Sequence, residues 1–411
     1  MRLLLPLLAL VLLLPACGSG TDDGVTTVRI WHLKDAEERV VLEEAAKRYS
    51  EANPDVNVEV LYKDTEELRN HYVFGAIGGK GPDMIYGPAD NVGLYALTET
   101  AMALQDRVDP AFVERFEEDG LLFWGDSLLL VADQLGSHLT FVYNKTLMPE
   151  PPATLDELVA MAPELTVDAD GDGRPEQYAL TWNYTEPFFL VPFLSGFGGW
   201  MLDENGRPTL DTPEMVNAIQ FVLDLRDEHQ VIPRESDYNI AETLFKEGRA
   251  AAVINGPWSW GGYAEAGVDF GMARIPYNTE TGIWPAPIVS ARGYSVNAAV
   301  TDEKLPYVLD VLDYLTGEEV QRQMVRDLFA IPTLKTVRRD TVLMQSNEFV
   351  QQSLSQAEVS KSMPTEPQLR QIWDGMRGPY QLVMNGNVSA EEGARLMQKQ
   401  AEELIADTFD S

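Results

Sequence analysis

Two tryptophans follow a strand-like stretch that could present them to a ligand. Residues 250–254 (AAAVI) form a short apolar run typical of a buried strand, and NGP then interrupts it before Trp258 and Trp260. A turn that presents indoles at a strand end suits a flat, hydroxylated molecule. Sugar rings have apolar faces that stack on aromatic side chains, and hydroxyls that need polar partners. The alternative is that both indoles are buried in the core, as large aromatic side chains usually are.

A second group of residues could bind a cation. The stretch DADGDGRPE carries carboxylates around a glycine turn, namely those of Asp168, Asp170, Asp172 and Glu176. This spacing lets several oxygens converge on one hard cation, as in an EF-hand loop, so we expect a structural Ca²⁺ here. The spacing to Glu176 is shorter than in the EF-hand loop, and the alternative is an acidic surface turn.

The only cysteine of the chain lies in a leader that predicts a lipid anchor. Arg2 precedes an apolar run over residues 3–14 that is too short to span a membrane, and LPAC resembles a bacterial lipobox. We therefore expect residues 1–17 to be a lipoprotein signal peptide with Cys17 as the lipidated residue, followed by a flexible tether over residues 18–24. The alternative is an ordinary secretory signal cleaved near Ala16.

The composition favours a folded protein with two cores that works outside the cytoplasm. A chain of 411 residues can build two lobes, and 45% hydrophobic with 23% charged residues is typical of globular proteins. The 65 acidic residues against 31 basic ones give a formal net charge of −34, which argues against nucleic acid as a partner. One cysteine excludes an internal disulfide, and the four histidines show no zinc-ligand spacing.

The order of the predicted elements indicates an α/β fold. Strands and helices alternate over residues 25–33, 35–49, 56–62, 66–77 and 84–86. This alternation predicts a parallel, doubly wound sheet, whose ligands lie at the carboxyl ends of the strands. We expect the loops after Trp31, Tyr86 and Trp258 to converge.

Three segments resemble the maltose/maltodextrin-binding proteins, within the large family of extracellular solute-binding proteins that feed bacterial ABC importers. The segments are DYNIAE with NGPWSW in residues 237–260, GPD before an apolar strand, and MPTEPQLRQIWDGMR in residues 363–377. The similarity covers nearly all of the chain after the leader. It implies a two-lobed periplasmic-binding-protein-like fold of type II, in which each lobe is a mostly parallel sheet flanked by helices and hinge crossovers join the lobes.

The resemblance implies that both lobes are discontinuous in sequence. The N-terminal lobe would comprise residues 25–135 and 287–340, and the C-terminal lobe residues 136–286 and 341–411. The chain would cross between the lobes near residues 135–137, 284–293 and 331–341.

The resemblance also implies which residues contact a sugar. Trp258 and Trp373 would form stacking surfaces, with Phe188 or Phe189 as a third aromatic. Trp373 and Arg377 are four residues apart and so share a helical face. The polar side chains that would bind hydroxyls are those of Glu186, Asp90, Asn91, Arg377, Lys34, Asp35 and Tyr238.

Three of these polar residues also fit a structural role. Asp90 is placed to be a helix N-cap, Arg377 to form a surface ion pair, and Tyr238 to pack at the start of a helix. Gly87 and Ser137 stand where the resembled maltose binder has a tryptophan and a glutamate. The sugar therefore stays open among maltodextrins, trehalose, sucrose and other α-glucosides.

The implied function is that of a substrate-binding lipoprotein. It would be a monomer in the cell envelope, anchored through Cys17 in the periplasm or on the outer face of the cytoplasmic membrane. It would close on an oligosaccharide and deliver it to permease subunits, with no cofactor beyond the structural Ca²⁺. The alternative is a secreted glycoside hydrolase, which would place two carboxylates beside the scissile bond. The match to a non-catalytic receptor, with no added catalytic motif, favours the receptor.

Overall fold

The structure is a computed structural model that describes residues 24–34 and 36–409. The leader with Cys17, most of the tether and Asp35 lie outside the described residues. The predictions for Cys17 and Asp35 therefore stay predictions.

The described residues form strands and helices in the following order. The strands are β1 (Thr26–His32), β2 (Val56–Tyr62), β3 (Met84–Pro88), β4 (Leu121–Trp124), β5 (Ser127–Gly136), β6 (Thr140–Asn144), β7 (Tyr178–Thr181), β8 (Ala250–Asn255), β9 (Phe270–Ala273), β10 (Ile288–Val296), β11 (Ile331–Pro332) and β12 (Lys361–Ser362). The helices are α1 (Ala36–Ala52), α2 (Thr65–Ile77), α3 (Asn91–Leu97), α4 (Pro110–Glu114), α5 (Leu155–Leu165), α6 (Val191–Gly196), α7 (Pro213–Asp227), α8 (Tyr238–Lys246), α9 (Trp260–Glu265), α10 (Leu305–Leu315), α11 (Glu318–Leu328), α12 (Lys335–Arg338), α13 (Thr341–Gln345), α14 (Glu348–Ala357), α15 (Leu369–Met384) and α16 (Ala390–Phe409).

The strands form two sheets, each with its own hydrophobic core. The larger sheet has the order β11-β5-β10-β3-β1-β2, with β12 beside β10 and β4 beside β5. The smaller sheet has the order β7-β8-β6-β9. Val28 and Tyr294 lie in the core of the larger sheet, and Phe141 and Ile219 in the core of the smaller one. The predicted two-lobed α/β architecture is confirmed.

The sheets are mixed rather than mostly parallel, which corrects one detail of the prediction. β1 pairs in parallel with β2 and β3, as its βαβ connections require. However, β10 runs antiparallel to β3 and β5, and β6 runs antiparallel to β8 and β9. β6 and β10 are the strands with which the chain enters a sheet from the other lobe, so no helical crossover sets their direction.

The chain passes between the sheets at three places. The first passage lies between β5 and β6, where Ser137 has a left-handed φ of 61° that a non-glycine residue rarely adopts. The second lies between β9 and β10. The third is later than predicted, because Leu343 and Met344 still pack in the core of the larger sheet and β12 still pairs with β10. α14 already contacts the smaller sheet, because Phe349 stacks on Phe270 of β9, and Leu369, at the start of α15, lies in the core of the smaller sheet.

α15 and α16 form a closely packed antiparallel pair. Gly375 of α15 lies against Ala401, and Gly393 of α16 lies against Val383. A Cβ at either glycine would collide with the opposite helix. This packing brings the last turn of α16 beside the first turn of α15. Among the described residues, no helix is both long and apolar enough to cross a membrane.

Candidate functional site

Three aromatic side chains from distant parts of the chain meet in a row. The ring centroid of Phe188 lies 6.5 Å from that of Trp258 and 6.3 Å from that of Trp373. All three side chains are partly exposed, whereas Phe189 lies edge-on to Phe188, is 5% exposed and belongs to the core. The sequence left Phe188 and Phe189 as alternatives, and the structure brings Phe188 to the row.

After the turn that follows β8, one indole is partly exposed and the other is buried. Asn255 is buried, and its amide donates hydrogen bonds to Glu242 (2.8 Å) and to the Tyr263 hydroxyl (2.9 Å), which anchors the end of the strand. A Cβ at Gly256 would collide with the indole of Trp258, so only glycine lets that ring fold back over the turn. Trp260, two residues on, is 2% exposed and packs in a core cluster.

Two cavities adjoin the aromatic row, and both combine residues from the two sheets. The inner cavity, near the first passage between the sheets, has a volume of about 210 Å³ and is lined by Glu38, Gln134, Trp258 and Arg292, among others. The outer cavity has a volume of about 690 Å³. Its lining includes Asp90, Asn91, Glu186, Phe188, Trp373 and Arg377. The volume of the outer cavity is typical of small-molecule sites.

Glu186 and Arg377 form a two-point ion pair in the outer cavity. The Arg377 guanidinium donates to the two carboxylate oxygens of Glu186 over 3.1 and 2.9 Å, and also to Asp374 over 3.1 Å. Arg377 lies one helical turn from Trp373 on α15, as the four-residue spacing predicts. The side chains of the pair are 30% and 43% exposed, so the pair borders open space.

Asp90 and Asn91 enter the outer cavity from the larger lobe. Asp90 occupies the N-cap position of α3, as the alternative predicted, but its side chain makes no capping hydrogen bond to the helix. Its Oδ1 is buried without a hydrogen-bond partner, and burial raises the pKa of this carboxyl against the opposing effect of Arg69 and Arg370. A Cβ at Gly87 would lie 3.0 Å from the Asn91 amide nitrogen, so the glycine leaves room for this amide.

Lys34 does not reach the cleft surface, contrary to the prediction. Its side chain is buried, with Nζ 3.2 Å from the Asp133 carboxylate and 3.7 Å from the centre of the Tyr86 ring. A buried ammonium needs such a partner, and this one is fully engaged within the wall of the larger lobe. Tyr238, at the start of α8, is half-buried against the core of the smaller sheet, and burial raises the pKa of its hydroxyl.

Sequence reasoning missed a polar network that lines the inner cavity. Arg292 donates to both oxygens of Glu38 over 2.8 and 3.0 Å, and Gln134 donates to Glu38 over 2.7 Å. Burial alone would raise the pKa of Glu38, but the charges of Arg292 and Lys34 and these hydrogen bonds outweigh it and lower the pKa. The available signal was an arginine in the middle of the otherwise buried strand β10.

The acidic loop brings together three of its four predicted ligands. Oxygens of Asp168, Asp170 and Glu176 all lie within 4.8 Å of one another, and all three residues are exposed. Asp172 lies outside this group, and its carboxylate accepts a hydrogen bond from the backbone of Arg174. The loop is preorganised by two backbone N–H groups that donate to Asp168.

Comparison with known proteins identifies the family. The family model for bacterial extracellular solute-binding proteins matches residues 35–322. The chain belongs to this family. It is 37% identical to the maltose/maltodextrin-binding domain MalE from Bdellovibrio bacteriovorus bound to maltotriose, with a TM-score of 0.85 over 93% of this chain and 100% of that one.

Two further relatives match along most of the chain. A maltotriose-binding protein of Pyrococcus abyssi is 28% identical over 95% of this chain and 83% of its own length. A maltooligosaccharide ABC transporter solute-binding lipoprotein of Streptococcus pneumoniae is 24% identical over 97% of this chain and 94% of its own length. These relatives are binding proteins, and the family predicted from sequence is confirmed.

Proposed function

We propose that this chain is the substrate-binding component of an ABC importer and takes an oligosaccharide of the maltodextrin class. The observation that carries the proposal is the row of Trp258, Phe188 and Trp373, which lies beside cavities lined by both lobes. The resemblance to a domain bound to maltotriose supports this choice of ligand.

In the proposed mechanism the ligand is gripped from both sides and released intact. The aromatic rings stack on the apolar faces of the sugar units. Asp90 and Asn91 from one lobe, and Glu186 and Arg377 from the other, exchange hydrogen bonds with hydroxyls. A ligand that contacts both lobes favours the closed conformation over the open one, with bending at the passages between the sheets. No bond is made or broken.

The test is a titration of the purified protein with maltose, maltotriose and maltotetraose, with trehalose and sucrose as comparison sugars. We expect a saturable change in tryptophan fluorescence and a raised melting temperature with the maltodextrins. The same mixtures are then examined by chromatography. Shortened sugars that accumulate at a turnover rate would reject the receptor function and support the glycoside hydrolase alternative. The absence of any binding would reject both functions.

We also propose that Cys17 carries the lipid anchor, which would hold a monomer at the outer face of the cytoplasmic membrane or in the periplasm, close to the permease subunits. The LPAC sequence and the description of the pneumococcal relative as a lipoprotein support this placement. Cys17→Ser should move the protein from the membrane fraction to the soluble fraction.

The acidic loop is proposed to hold a structural Ca²⁺. Three carboxylates around one point supply the hard oxygen ligands that Ca²⁺ prefers, and the backbone of the loop already fixes Asp168.

A further inference from the structure

The outer cavity continues past Trp373 to the end of α16. Thr408 and Phe409, in the last described turn of that helix, belong to its lining together with Leu94 and Leu97 of α3. The antiparallel packing of α15 and α16 accounts for this position, because it sets the end of α16 beside Arg370 and Gln371. An apolar side chain from each lobe therefore borders the outer end of the cavity.

Phe409 is not needed for the core. The buried residues of α16 all lie between Ala390 and Ala401, in the first part of the helix. Phe409 is 39% exposed and Leu97 is 53% exposed. Large apolar side chains that remain in water on both sides of a ligand cavity fit contact with a ligand better than a role in folding.

The polar surroundings of this outer end suit a hydroxylated ring. The Gln371 side-chain oxygen is buried without a hydrogen-bond partner, and the Thr408 hydroxyl, which donates to the Leu404 carbonyl over 2.7 Å, can accept a further hydrogen bond. A sugar unit needs an apolar surface for its ring face and donors or acceptors for its rim. The outer end of the cavity offers both.

We propose that Phe409 determines which oligosaccharide lengths bind well, by providing a stacking surface for an outer sugar unit that lies beyond Trp373. Leu97 forms the opposite side of this outer position. The proposal rests on the proposed function of the cleft, and it assigns to α16 a specificity-determining role. A short sugar held by Trp258, Phe188 and Trp373 does not reach this position, whereas a longer one does.

The test compares Phe409→Ala with Leu404→Ala, which removes a similarly exposed apolar side chain (37%) from the same helix outside the cavity lining. Calorimetric titration with maltose, maltotriose and maltotetraose gives the affinity for each length. We expect Phe409→Ala to weaken maltotetraose binding by about 3- to 10-fold, the range for one aromatic stacking contact, and maltose binding by less than about 2-fold.

Two further variants sharpen the result. Phe409→Tyr should retain the preference for the longer sugar because it keeps the ring, and Leu97→Ala should cause a smaller loss of the same kind from the opposite lobe. Leu404→Ala should match the wild type at every length. All variants should melt close to the wild type, since none of these side chains is in the core.

The outcomes separate this inference from the proposed function. A wild-type protein that binds none of the three sugars rejects the proposed function. A wild type that binds all three equally, or a Phe409→Ala variant whose affinity is unchanged or falls equally for every length, rejects the role of Phe409 and leaves the receptor function standing.

Discussion

The inner and outer cavities are built from different side chains. The inner cavity contains the Arg292–Glu38 pair, whose side chains are only 15% and 9% exposed. The outer cavity has the Glu186–Arg377 pair at its border, with the two side chains 30% and 43% exposed, and it ends in apolar side chains. Both pairs have two-point geometry, so they differ in burial rather than in contact chemistry.

The difference in burial between the two ion pairs suggests that one end of the cleft has a fixed geometry and that the other end can rearrange. A buried pair cannot exchange its partner for water, so it holds neighbouring groups in one geometry. An exposed pair competes with water and is easily rearranged, which costs little. We infer that the inner end sets the orientation of the first sugar unit, and that the outer end, where Phe409 lies, responds to the length of the sugar.

Substitution of the two tryptophans after β8 tests whether Trp258 contacts the ligand while Trp260 only stabilises the fold. Trp260→Ala should destabilise the protein by about 3–5 kcal/mol, because it empties a buried site. Trp258→Ala should leave the ligand-free melting temperature nearly unchanged but weaken sugar binding by about 30-fold or more, as expected for a central aromatic contact. Melting and titration of both variants provide the measurement. A collapse of the Trp258→Ala fold would show that this indole is structural.

A matched pair of charge-removing variants tests the contrast in burial. Glu38→Gln removes the buried negative charge that accepts two hydrogen bonds from Arg292 and should reduce the free energy of unfolding by about 3 kcal/mol at pH 7. Glu186→Gln makes the same change in the exposed pair and should cost less than about 1 kcal/mol. Urea unfolding measures both, and equal losses would contradict the distinction between the two cavities.

The effect of Glu38→Gln should depend on pH. Because the folded state lowers the pKa of Glu38, its carboxylate stabilises the fold above the ordinary carboxyl pKa of 4.5, and this contribution is lost as the pH falls through the folded-state pKa. The stability difference between the wild type and Glu38→Gln should therefore narrow in acid below about pH 4.5. A constant difference from pH 7 to pH 3 would show that the charge of Glu38 is not what stabilises the inner cavity.

The acidic loop serves as a reference outside both cavities. Ca²⁺ at about ten times its Kd should raise the free energy of unfolding by about 1.4 kcal/mol, and Asp168→Asn should abolish the gain. Sugar affinity should not change, because Asp168 lines neither the inner nor the outer cavity. The measurement is thermal melting with Ca²⁺, with Mg²⁺ and with a chelator. An identical melting temperature under all three conditions would contradict the proposed Ca²⁺ site.

Prediction from the sequence succeeded where a short motif determines the local backbone geometry. The four-residue spacing of Trp373 and Arg377 places both on one face of α15, and NGP predicts the break that ends β8. It failed where a side chain finds a partner far along the chain. Lys34 was expected in the cleft, but Asp133, 99 residues away, holds it in the wall.

The amino-acid sequence by itself determined the alternation of β1, α1, β2, α2 and β3, the starts of several helices and the family of the chain. These depend on residues within a few positions of one another, whose periodicity and capping hydrogen bonds are readable locally. Only the tertiary structure decided that Trp258 is open while Trp260 is buried, that the third passage follows α13, and that Glu38 meets Arg292. Glu38 and Arg292 are 254 residues apart. Contacts over such distances depend on the packing of whole elements, which no local pattern specifies.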